Sequence, residues 1–136
     1  EFHMEEYDFI IDAIDSLKDK ADLILRATAL PKEITFISSM GAALRRDPFM
    51  VRKTEFWKVD GDPLARALRK KFKKNKTFPR RKFQCVYSEE KPMQNQGENC
   101  EYSSTKAQIN GSLCHITATF GMAIAGMVIN HIIDKN

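Results

Sequence analysis

Tyr7-Asp-Phe-Ile-Ile-Asp-Ala-Ile-Asp-Ser-Leu-Lys-Asp-Lys20 is the stretch that decides the fold. Its first half, Tyr7 to Ala13, is a short apolar run with β-branched residues, the composition of a buried strand. Asp15 and Ser16 follow, and either side chain suits the cap of a helix from Leu17 to Leu30. Leu17, Ala21, Ile24, Leu25 and Thr28 recur at three-to-four spacing, and Pro31 stops the helix. A strand running straight into an amphipathic helix opens an α/β unit.

Working outward, Ile34 to Met40 reads as a second strand that leads into the turn Gly41-Ala-Ala. Val51 to Lys58 alternates weakly and is expected as a third strand at a sheet edge. The next helix is better marked: Asp62 is placed as N-cap, and Pro63 at the first helical position costs no internal hydrogen bond. Leu64, Leu68 and Phe72 then recur every four residues. Lys82 to Ser88 reads as the last strand, and polar, aperiodic Glu89 to Gly111 as a long mobile loop. An apolar helix from near Ser112 to about Asp134 closes an α/β chain without internal repeats. Glu1-Phe-His-Met4 reads as a cloning remnant outside the fold, which leaves residues 5–136 as one domain.

A length of 136 residues, 43% hydrophobic and 29% charged, gives one soluble globular domain rather than a disordered chain. The run from Ile116 to Ile133 is long enough to span a membrane. Thr117, Thr119, Asn130 and His131 favour a buried helix instead, with Ala118, Gly121 and Ala125 allowing close packing on a sheet or partner helix. Cys85, Cys100 and Cys114 show neither pairing nor metal-ligand spacing, which fits a reducing cytosol. Cytoplasmic placement without membrane association is the expectation. Cys114 and His115 are adjacent at a helix start, poor geometry for a thiolate–base pair.

Net charge is +4, but its distribution is lopsided. Ten basic residues and no acidic one lie between Arg66 and Lys82, leaving 12 basic against 18 acidic residues elsewhere. Asp12 and Asp15 flank the end of the first strand. Ligands of open α/β sheets collect at the carboxyl ends of strands, so an aspartate there suits a metal–phosphate complex. On periodicity alone the plainer reading, that Asp15 caps a helix, is favoured.

Ile11-Asp-Ala-Ile-Asp-Ser-Leu-Lys-Asp-Lys20 resembles the aspartate motif of the ThiF/MoeB/HesA family, relatives of the ubiquitin-activating enzymes that adenylate carboxylates with ATP. Ser38-Ser-Met-Gly-Ala-Ala-Leu-Arg-Arg-Asp-Pro48 and Asp62-Pro-Leu-Ala-Arg-Ala-Leu-Arg69 are similar to segments of one branch, the tRNA threonylcarbamoyladenosine dehydratases. Cys85-Val-Tyr-Ser-Glu-Glu90, Gly111-Ser-Leu113 and Thr117-Ala-Thr-Phe-Gly121 look like that branch's last strand and helix. The resemblance covers residues 7 to 134 and implies the carboxy-terminal half of a Rossmann-like ThiF-type fold, a mixed sheet with flanking helices.

By that resemblance Asp15 matches the aspartate that holds magnesium-bound ATP, and Lys20 falls where the family has Lys or Arg. Lys20 would meet either the phosphates or a carboxylate. Relatives often carry a loop cysteine near the active site, where Cys100 lies; it reads either as a nucleophile or as a surface thiol. Arg66, Arg69, Lys70, Lys73, Lys74, Arg80 and Arg81 suit the phosphate backbone of tRNA, or else form a solvated helix face. The resemblance also implies a homo-oligomer. Activation of a sulfur-carrier or ubiquitin-like protein, or a stand-alone RNA-binding module, are the alternatives. One departure is large: the Gly-x-Gly-x-x-Gly turn that donates backbone N–H groups to phosphates occurs nowhere in these 136 residues. The chain is therefore expected to fold without catalysing. A smaller departure is Gly41-Ala-Ala where the family commonly has Gly-Ala-Gly.

Overall fold

The computed structural model describes residues 3–94 and 110–136. Strands β1 (Phe9–Asp12), β2 (Thr35–Ser39), β3 (Val51–Glu55) and β4 (Gln84–Ser88) form one sheet in the order β1-β2-β4-β3. β1, β2 and β4 run parallel, and β3 pairs antiparallel with β4 at the edge, as the weak alternation of Val51–Lys58 anticipated. Helices α1 (Leu17–Ala29) and α2 (Pro63–Asn75) share one face of the sheet, and α3 (Cys114–Lys135) lies on the other. The architecture is α/β with a mixed sheet, as expected.

The inner strands are buried on both faces, as parallel strands under helices must be. Phe36 of β2, with Cys85 and Tyr87 of β4, faces the α1/α2 core, while Ile37 and Val86 face α3. Ile24, Ala27, Leu68 and Phe72 come down onto the first of these faces. Fully burying one such large side chain is worth about 1.5–3 kcal/mol. Phe83 stacks on Phe56 with centroids 4.9 Å apart, and Phe36 and Phe72 lean on the same pair. Phe56 reaches this core because the expected third strand stops at Glu55. The Glu55 carboxylate accepts from Trp57 N and turns Phe56–Lys58 into a short 3-10 helix.

Two expectations need amendment. Met4, in the tetrapeptide expected to lie outside the fold, is buried in the cluster that holds Ile10. The buried α3 is a stripe only: Ile116, Phe120 and Ile124 cover Ile37 and Val86. Met122 (76% exposed), Ile129 (55%) and Ile133 (63%) face away, and the small residues Ala118, Gly121 and Ala125 are exposed rather than packed on the sheet. A helix on one side of a sheet buries one face, and nothing among the described residues covers the other. By length and composition α3 is apolar enough to cross a membrane. The expected loop from 89 to 111 falls largely outside the described residues.

Candidate functional site

Two aspartates three residues apart have opposite fates. Asp12 ends β1 and is wholly buried. Its Oδ2 lies 2.8 Å from the Lys20 ammonium and accepts from Ser38 Oγ at 2.6 Å, while Oδ1 accepts from Ile14 N at 3.0 Å. Lys20 Nζ also donates to Ile14 O at 3.2 Å. The residues between Asp12 and Asp15 are thus clamped from inside by a saturated polar cluster. Of the two roles open to Lys20, the structure gives it the carboxylate partner. Its side chain is wholly buried.

Asp15 comes out of this turn exposed, and it does not cap α1. Ser16 is the N-cap and accepts from Asp19 N. Asp15 lines a cavity of about 640 Å³ at the carboxyl ends of β1 and β2, together with Ser39, Gly41, Leu64, Thr117 and Gly121. Its carboxylate makes no hydrogen bond or ion pair with another described residue. The cavity therefore holds a carboxylate free to meet a ligand, walled by the apolar start of α3 and the turn after β2.

That turn is fixed by Asp62. One carboxylate oxygen caps α2 by accepting from Ala65 N at 2.7 Å, as the Asp62-Pro63 signature required. The other accepts from Gly41 N at 3.1 Å and from Arg45 Nη2 at 3.4 Å. A Cβ on Gly41 would stand 3.2 Å from that oxygen, so the close approach explains the glycine. Ala43 needs no such freedom, because the left-handed residue is Leu44, at φ 59°. Arg45 is buried, and its Nε and Nη1 find no partner among the described residues.

The remaining candidates divide. Arg66, Lys70, Lys73, Lys74 and Arg80 are exposed. Arg69 instead donates to Phe56 O and Val59 O, and Arg81 to Ala27 O and Ile34 O, so these two brace the backbone. Cys100 lies outside the described residues. Cys114 is exposed at the start of α3, and the His115 ring is held 2.8 Å from Arg46 O, so the pair forms no thiolate–base couple. Cys85 is wholly buried, and burial pushes its thiol far above the ordinary range. Thiol labelling of the native chain followed by mass spectrometry should modify Cys114 and leave Cys85 untouched until denaturant is added.

Sequence reasoning missed Ser38, Arg45 and the clamping role of Asp12, because each depends on contacts made across the sheet.

Comparisons agree with this fold. No protein-family model matches the chain. A tRNA threonylcarbamoyladenosine dehydratase of Haemophilus influenzae is 35% identical over 137 residues, which is 95% of this chain and 52% of that protein. The tRNA threonylcarbamoyladenosine dehydratase 2 of Saccharomyces cerevisiae is 31% identical over 94% of this chain and 31% of its own length. The crystal structure of the Escherichia coli dehydratase in complex with AMP superposes with a TM-score of 0.72 at 28% identity, covering 95% of this chain and 49% of that one. Its complex with ATP gives a TM-score of 0.69. The chain spans about half the length of the bacterial relative and of these structures. Over nearly its whole length the chain is thus similar to tRNA threonylcarbamoyladenosine dehydratases, of whose bacterial members it spans about half.

Proposed function

We propose that this chain is the carboxy-terminal, aspartate-bearing half of an ATP-dependent adenylating centre that acts on the threonylcarbamoyl carboxylate of a tRNA nucleoside. In that reaction a carboxylate oxygen attacks the α-phosphate of ATP and expels pyrophosphate. Ring closure at the activated carbonyl then expels AMP, a net loss of water. The protein's part is positioning and charge neutralisation. The observation that carries this reading is the unpaired Asp15 at the rim of the cavity where two parallel strands end.

Magnesium fits the same place. No group of three His, Cys, Asp or Glu gathers among the described residues, so no all-protein cage is present. A single carboxylate beside substrate phosphates is the setting magnesium favours, and Asp15 would hold it there. The glycine-rich phosphate turn, absent from these residues, would come from the other half. The unpaired edge of β1 and the bare apolar face of α3 support the expected self-association.

The test compares AMP formation from ATP, with threonylcarbamoylated tRNA present, by this chain alone and by the chain joined to a half carrying the glycine-rich turn. The chain alone should form no AMP above background, and the joined protein should form AMP and cyclised nucleoside in equal amounts. AMP formed by the isolated chain would remove the half-enzyme reading.

A further inference from the structure

We propose that Trp57 and Phe78 form a stacking platform for an unpaired base of the tRNA, flanked by cations that hold the neighbouring phosphates. This rests on the tRNA reading above and adds to it a surface remote from the cavity.

Both rings are large, apolar and open to solvent, 38% exposed for Trp57 and 49% for Phe78, with centroids 6.4 Å apart. Neither hangs on a loose segment. Trp57 leans edge-on against buried Phe56 at 5.1 Å, and its backbone N–H is held by Glu55. Phe78 follows the left-handed cap at Lys76 that ends α2, where Thr77 N donates to Phe72 O at 3.1 Å. Two residues on, Arg80 N donates to Thr28 Oγ1 at 3.2 Å. The rings are therefore presented by anchored backbone, so little freedom is lost when a ligand stacks on them.

The surroundings select the ligand. Lys58 adjoins Trp57 in sequence and Lys76, Arg80 and Lys82 lie within four residues of Phe78, all four exposed, and no acidic residue occurs from Arg66 to Lys82. Glu55 and Asp60 lie near Trp57 in sequence, but Lys58 and the basic residues flanking Phe78 outnumber them, a balance that serves an apolar protein partner poorly. Aromatic faces set among cations are what unpaired nucleotides use. A duplex keeps its base faces stacked internally, so the platform discriminates for loops. Arg66, Lys70, Lys73 and Lys74 extend the positive surface along α2, which is about 20 Å long at 1.5 Å per residue. That helix starts beside the cavity, where Leu64 is a wall and Asp62 holds Gly41, and ends at the aromatic pair. A loop gripped at the platform would thus have a cationic track toward Asp15.

Trp57 is the only tryptophan in the chain, so its emission reports directly on the platform. The chain is titrated with unmodified tRNA, a single-stranded RNA and an RNA duplex over a range of salt. Quenching by the first two and not by the duplex is expected. Phe78→Ala should weaken tRNA binding about tenfold with an unchanged salt slope, and Phe78→Tyr should restore it. Lys73→Ala with Lys74→Ala should flatten the slope instead. An unaltered urea midpoint for Phe78→Ala shows the fold intact. Binding of tRNA with Trp57 emission unchanged and Phe78→Ala harmless would overturn the platform while the tRNA reading stands. No binding of tRNA by the chain, with adenylation intact in the joined protein, would overturn the whole surface. If Phe78→Ala alters the oligomeric state and not RNA affinity, the rings are a contact between copies and the proposal fails.

Discussion

Lys20→Met should lower the unfolding free energy by about 3–5 kcal/mol, seen as a fall in the urea midpoint at constant slope. The ammonium and its partner are both wholly buried, 2.8 Å apart. Removing the cation leaves Asp12 as a lone buried carboxylate with only Ser38 Oγ and Ile14 N to stabilise it. A domain of this size has about 5–15 kcal/mol in all, so the loss approaches the threshold of folding. Asp12→Asn in the same chain should recover a good part of it, because an amide needs no counter-charge. A midpoint unmoved by Lys20→Met would mean that the pair does not hold the turn.

Asp15→Asn should do the reverse. In the joined, active protein AMP formation should fall at least ~100-fold, the usual effect of deleting a group that neutralises developing charge. The urea midpoint should stay within about 0.5 kcal/mol, since the side chain is exposed, is paired with no described residue and does not cap α1. Unchanged turnover would take Asp15 out of the nucleotide site. The two substitutions together separate what holds the strand end from what faces the ligand.

Local chemistry made much of this legible. Asp62-Pro63 marked the start of α2 to the residue, and Pro31 marked the end of α1 to within one, because caps and breakers act through neighbours in sequence. The same reasoning could not tell Asp12 from Asp15. Both stand at a strand end, and only the folded contacts of Asp12 with Lys20 and with Ser38, 26 residues on, show which of them points inward. Basic density likewise counted Arg69 and Arg81 with their neighbours. Helix spacing does not reveal that the carbonyls of Phe56 and Ile34 claim their guanidinium groups. The apolar run of α3 announced a helix but not its cover, which depends on what lies across from it.

The place of β4 has a consequence for how the molecule comes together. It is the last strand in sequence yet lies between β2 and β3, so neither neighbour can be paired on that side before residues 84–88 arrive. A nascent chain ending short of Phe83 would hold β1, α1 and β2 as one unit, with β3 and α2 waiting unjoined. Closing Ile37 onto Gln84 spans the longest separation in the sheet, and such non-local pairing slows folding. The open edge of β2 persists through that interval, which makes the half-emerged chain the form most prone to aggregate.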